Sequence, residues 1–150
     1  MTFARTRDLA LVRAVLTHES QVRMSSEDAT DVATWSPVED ERIWYIEARD
    51  AVELVGIFTL IPQNSVCFEI HAAILPHAWG ERSHEAARGV FVWMFANSPA
   101  RRIVASIPGY NQLALKLAKD AGMRAFGRNP RSFLKHGKLH DQILLGISAS

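Results

Sequence analysis

The order of hydrophobic patterns predicts an α/β (α+β) fold: one mixed sheet built as β-α-α-β-β-β-α-β-α-β-β, with helices on both faces. Three observations predict it. Residues 42–48 and 52–60 are two runs rich in β-branched and aromatic residues, and a third run follows after a short turn, which makes an antiparallel meander. Residues 66–107 read as strand, loop, helix and strand, which sets two strands parallel across a right-handed crossover. Residues 111–122 then read as a helix with stop and start signals at both ends.

The elements follow in order. A short strand-like piece, Thr2–Arg5, comes first. Asp8 is a candidate N-cap for a helix whose apolar positions are Leu9, Val12 and Leu16. Residues 25–35 read as a second helix, with Ser25 or Ser26 as cap, acids in the first turn and Pro37 beyond its end. Arg49-Asp50 and Pro62-Gln63-Asn64 read as the two turns of the meander. The third strand, Val66 to Leu75, leads into a loop with Pro76 and Gly80. A helix is expected from about Ser83, burying Ala86, Ala87, Val90, Phe91, Met94 and Phe95 and stopped by Asn97-Ser98-Pro99. Residues 101–107 form the next strand. Asn111 caps the following helix, with Leu113, Leu117, Ala118 and Ala121 on its apolar face and Gly122 at the left-handed end position. A short strand at 123–127, a turn at Gly127-Arg128-Asn129-Pro130-Arg131 and a last strand at 139–147 complete the chain.

Composition sets bounds on function. The chain has 150 residues, of which 48% are hydrophobic and 22% charged, enough for a core without disulfide staples. Its one cysteine, Cys67, has no partner, which fits a reducing, cytoplasmic setting, and the start carries no apolar leader. No apolar run is long enough for a bilayer, so no membrane partner is expected. The net charge of +1 hides an asymmetry: residues 1–100 carry −6 and residues 101–150 carry +7. A basic third of this kind suits a polyanion, but its cations show no aromatic interleaving and no nucleic-acid motif, so nucleic acid is not the expected partner. Exposed strand edges make a homodimer an expectation as well.

The chemistry concentrates in Val66–Phe95. A loop that feeds a helix start offers backbone N–H groups and the positive end of a helix dipole, a setting for phosphate or pyrophosphate. Glu69 and His71 are two apart on a strand and so share a face. Either could take a proton from an amine: an imidazole titrates near neutrality, whereas a carboxylate needs burial to do so. The alternative for the pair is structural, a carboxylate salt-bridged to an arginine and a core histidine. His71, His77 and His84 lack the short paired spacing of metal sites, and no metal is expected. Glu39, Asp40, Glu41, Asp50 and Glu53 form a candidate acidic rim that would attract a cationic amine.

Phe68-Glu-Ile-His-Ala-Ala-Ile-Leu-Pro-His-Ala-Trp-Gly-Glu-Arg-Ser-His-Glu-Ala86 and Arg102-Ile-Val-Ala-Ser-Ile-Pro-Gly-Tyr-Asn-Gln-Leu-Ala-Leu-Lys-Leu-Ala-Lys-Asp-Ala-Gly-Met123 resemble successive segments of the GNAT superfamily of acyl-CoA-dependent N-acetyltransferases. The order of elements is similar across nearly the whole chain, read as a single GNAT-like domain over residues 1–150. The Trp79-Gly80 loop and the Glu85-Ala86 helix are most similar to the ribosomal-protein N-terminal acetylating branch. The resemblance implies acetyl-CoA as co-substrate. It implies pantetheine along Ile74 and Leu75, pyrophosphate at His77, Gly80, Glu81, Arg82 and Ser83, and Asn111 on the pantetheine side. The acceptor would be a primary amine of a small molecule or protein.

Two departures stand out. The family loop usually reads Gln/Arg-x-x-Gly-x-Gly/Ala, but this one is His77-Ala78-Trp79-Gly80-Glu81-Arg82, a degenerate form. Many members carry a Tyr seven residues after the position of Asn111, where this chain has Ala118. The resulting expectation is an N-acetyltransferase in which the bound amine attacks directly and Glu69 or His71 takes its proton. The alternative is a non-catalytic assembly or interaction protein on the same fold, including a viral one.

Overall fold

A computed structural model describes residues 1–150. The strands are β1 (Thr2–Thr6), β2 (Trp44–Asp50), β3 (Glu53–Pro62), β4 (Cys67–Ile74), β5 (Arg102–Pro108), β6 (Arg124–Lys135) and β7 (Lys138–Ser148). The helices are α1 (Leu9–Leu16), α2 (Glu19–Ser25), α3 (Glu81–Asn97) and α4 (Gln112–Asp120), with one 3-10 turn at Pro76–Ala78 before α3. Their order is the order expected from sequence. One seven-stranded sheet runs β1-β2-β3-β4-β5-β7-β6. Every neighbouring pair is antiparallel except β4 with β5, which the α3 crossover makes parallel.

The sheet buries both faces because its strands alternate between two apolar sets. Phe58, Leu60, Phe68, Ile70 and Ile103 pack on one face against Ala86, Val90, Phe91 and Met94 of α3 and Leu115 and Ala118 of α4. Tyr45, Ile57 and Ala73 pack on the other against Val12 and Val15 of α1. Asp8 caps α1, its Oδ1 accepting from the Leu11 N–H at 3.1 Å, and Asn111 caps α4 through the Ala114 N–H at 3.2 Å.

Five local expectations are corrected. The second helix is Glu19–Ser25, capped by His18, and residues 27–34 are turns. Residues 25–35 have capping residues but no apolar stripe to bury, and their acids bind elsewhere: Asp28 accepts from the His136 and Gly137 N–H groups, both at 2.8 Å. The first meander turn falls at Ala51-Val52, not Arg49-Asp50. Residues 127–131 are not a turn; β6 runs through them with register shifts. Pro130 is tolerated there because β6 is an edge strand. Finally, α4 buries Leu115 while Leu113 is 64% exposed, and α3 starts at Glu81 rather than Ser83.

Candidate active site

β4 and β5 separate. Their pairing runs from Cys67↔Arg102 to Glu69↔Val104 and stops, although β4 continues to Ile74 and β5 to Pro108. Leu75 N–H and Cys67 C=O both bond on the β3 side. By the alternation of an antiparallel pair, the backbone groups of Ile70, Ala72 and Ile74 therefore face the gap. A cavity of about 510 Å³ passes through the sheet at this split. Ser20, Gln21 and Met24 of α2 line one end; Gly80, which precedes α3, and Ser83, Ala87 and Phe91 of α3 with Ala114 and Leu117 of α4 line the other. Its volume lies within the range of small-molecule sites.

The Ile74 carbonyl at the gap already has two donors. The Trp79 indole Nε1–H donates to it at 3.0 Å and the Gln21 amide at 2.9 Å. The loop after β4 then delivers the chain into α3. Gly80 holds φ +100°, a conformation that penalises any side chain, and a Cβ there would meet nothing within 4 Å. The backbone, not the space, calls for glycine here. Ser83 and His84 N–H bond back to the Gly80 carbonyl, while the N–H groups of Gly80, Glu81 and Arg82 enter no turn or cap bond. Three such N–H donors at a helix N-terminus lie beside the cavity, where helix starts favour negative charge.

The other expected cofactor residues distribute unevenly. Ser83 is buried and its Oγ donates to the Gly80 carbonyl at 2.6 Å. Asn111 lines the cavity while capping α4. Leu75 packs toward α1 instead. The His77 ring lies 3.0 Å from the Leu54 carbonyl and 3.3 Å from Glu53, on the β2–β3 hairpin. The Arg82 guanidinium donates to Glu53 at 2.6 Å and to the His77 carbonyl at 2.8 Å, with Asp50 3.7 Å away. It holds the Glu53 carboxyl below the ordinary range, and is itself raised, chiefly by that bond. The side chains of His77, Glu81 and Arg82 do not line the cavity. The expected acidic rim is likewise engaged: Asp40 bonds Arg42, which drives it down to about 2, and Glu41 bonds Arg7.

Glu69 and His71 do share a face, with Glu69 Oε1 3.6 Å from His71 Nε2. Glu69 bonds no arginine; its partner is the histidine. His71 lines the cavity and its side chain is 55% exposed, so it is not a core histidine. The sequence reading missed Thr59, which stands opposite His71 on β3. It is 7% exposed, and its Oγ1 is the one buried side-chain polar atom without a hydrogen-bond partner. Only the cross-strand register, β3 against β4, could have signalled it.

The wall formed by α2 is clamped from the far end of the chain. Lys135, 6% exposed, donates from Nζ to the Val22 carbonyl at 2.9 Å and to the Ser26 carbonyl. Tyr110 Oη donates to the Met24 carbonyl at 2.8 Å. Asp28 is held low by the Gly137 and His136 N–H groups. Across the cavity, His84 joins the helices, its Nδ1 2.9 Å from the Gly80 carbonyl and Nε2 2.9 Å from Asp120.

A split parallel pair, a helix start with free N–H groups and a buried asparagine at the next helix converge on one cavity. The sequence model of the Acetyltransferase (GNAT) domain matches residues 2–124, and the chain belongs to that family. No individually curated protein matches it. Among solved structures, it is similar to the spermidine N-acetyltransferase of Vibrio cholerae in complex with CoA and spermine, at TM-score 0.79 and 15% identity, covering 98% of this chain and 94% of that one. It is also similar to a GNAT-family acetyltransferase from Bacillus anthracis, at TM-score 0.61 and 18% identity, covering 71% and 66%. At such identities the likeness is one of fold.

Proposed function

We propose that the chain is an acetyl-CoA-dependent N-acetyltransferase, working as a single domain over residues 1–150, that holds acetyl-CoA in the β4–β5 split. The observation that carries this reading is the split itself, open beyond Glu69 and Val104 and lined at one end by the α3 N-terminus. Acetyl-CoA supplies an activated thioester. The residues present suit it: the N–H groups of Gly80, Glu81 and Arg82 can receive an anion, and the backbone of Ile70 and Ala72 with the N–H of Ile74 offers strand-like pairing. Arg82 contributes its N–H rather than its guanidinium, which the hairpin holds. The altered loop therefore keeps the backbone donors that matter, at the cost of the glycine usual at its last position.

The acceptor amine enters from the α2 side, where His71 stands. His71 takes the ammonium proton, and Glu69 orients the imidazole from 3.6 Å. No acid stands at Ala118, and a thiolate leaves with little help because thiols are acidic relative to alcohols. No Asp or Glu lines the cavity. That lining favours an acceptor with one amine, as in the protein N-terminus taken by the branch that the Trp79-Gly80 loop resembles, over a polyamine needing several carboxylates. The test is a panel of acceptors assayed by thiol release from acetyl-CoA. The reading expects turnover on a peptide N-terminus or monoamine, and no advantage for spermidine. Turnover confined to polyamines would overturn the acceptor assignment, and no turnover on any amine would overturn the enzyme assignment.

A further inference from the structure

A second concavity lies at the opposite end of β5 from the split, on the strip formed by β5, β7 and β6. It has a volume of about 300 Å³ and is lined by Arg102, Arg124, Phe126, Gly146 and Ser148, among others. Neither arginine has a carboxylate partner: Arg102 donates to Ser148 Oγ at 3.0 Å, and Arg124 makes no side-chain bond. The two acids of the basic third are engaged elsewhere, Asp120 by Lys116 and His84, Asp141 by Arg128.

The backbone is shaped for this arrangement. Gly146 pairs with Val104 on one side and Arg124 on the other, and a Cβ on it would run into the Arg102 guanidinium. The missing side chain is what lets Arg102 lie flat over β7. Phe126 is the extra residue of a bulge, since Ala125 pairs with Leu145 and Gly127 with Leu144. Bulges re-aim side chains. This one leaves a phenylalanine 56% exposed, with the Arg102 guanidinium 5.2 Å from its ring centroid. A large apolar ring held out to solvent beside two uncompensated cations has no role in the core. The cations of the sequence's basic third do have an aromatic among them once the bulge places it.

We infer that this concavity binds a nucleoside phosphate, the phosphate between Arg102 and Arg124 and the base stacked on Phe126. Two guanidiniums match a dianion better than a carboxylate, because their forked N–H donors pair with phosphate oxygens in parallel. An aromatic face with arginine beside it is a stacking platform for any base. The same chemistry is offered by a free nucleotide and by a residue of single-stranded nucleic acid.

The experiment titrates the full chain with thymidine monophosphate, inorganic phosphate and an eight-residue oligothymidylate, following backbone amides by NMR. Expected are saturable shifts at Arg102, Arg124–Phe126 and Gly146–Ser148, weakened by salt. Arg124→Ala and Phe126→Ala should each weaken binding at least fivefold, while leaving acetyl-CoA turnover unchanged because both side chains are exposed and remote from the split. Oligothymidylate binding tenfold tighter than the mononucleotide would assign the site to a strand; equal binding would assign it to a free nucleotide. Inorganic phosphate binding as tightly as the mononucleotide, shifts confined to the β4–β5 cavity, or affinities unmoved by both variants would overturn the assignment.

Discussion

At the scale of single residues, the account rests on His71 and its neighbours. If His71 takes the amine proton, His71→Ala should lower kcat by about 100-fold, the low end for general-base removal, with little change in the KM for acetyl-CoA. Steady-state kinetics with both substrates varied separates the two. Thr59, opposite His71 on β3, gives a stability test. Its hydroxyl is buried without a partner, a cost of about 1–3 kcal/mol. Thr59→Val should therefore leave the fold equally stable or raise stability by about 1 kcal/mol in urea denaturation. Glu69 and His71 were legible as a pair from their spacing on one strand. Thr59 was not, since nothing in a single strand says which residue the next strand will place opposite.

At the scale of elements, α2 is the least self-sufficient. Seven residues cannot hold a helix in water by hydrogen bonding alone. Two later segments supply what is missing: Lys135 of the β6–β7 hairpin caps the last carbonyls of α2, and Tyr110, between β5 and α4, reaches Met24. Lys135→Met keeps the volume but removes both Nζ bonds and leaves the half-buried Ser26 carbonyl without its donor, so it should cost about 2 kcal/mol in urea denaturation. It should also weaken acceptor binding more than acetyl-CoA binding, since α2 forms the wall on the acceptor side. This dependence explains why the second helix was misplaced from sequence. The capping residues of 25–35 signal a helix start, but the contacts that decide the matter come from residues more than a hundred positions away. The Asp8 and Asn111 caps and the α3 crossover, by contrast, are local or nearly so, and were legible.

At the scale of the molecule, the order of elements was fully legible because each carries its own periodicity and punctuation. The charge reading was less so: summed charge over a hundred residues said nothing about pairing, and the expected acidic rim is largely bound by arginines. Those pairs give the molecule an acid response. The carboxyls of Asp28, Asp40, Glu41, Glu53, Asp120 and Asp141 are all held below their ordinary values of 3.8 or 4.5. A depressed carboxyl stabilises the fold in full above its unfolded value and loses that contribution as pH falls toward its folded value. Melting temperature should thus be insensitive to these groups above about pH 5.5 and fall as pH drops through 4.5 and below. Asp28→Asn should blunt the fall, because protonation can no longer detach that loop from the hairpin.

The central claim is that the β4–β5 split is an acetyl-CoA site, and thermal unfolding with and without acetyl-CoA tests it most directly. A ligand that binds only the folded chain at a hundred times its dissociation constant adds about 2.7 kcal/mol, which for a chain of this size raises Tm by about 5–10 °C. The account predicts that rise, and predicts that Gly80→Ala diminishes it by straining the loop that presents the N–H groups. A melting temperature unchanged at millimolar acetyl-CoA would contradict it.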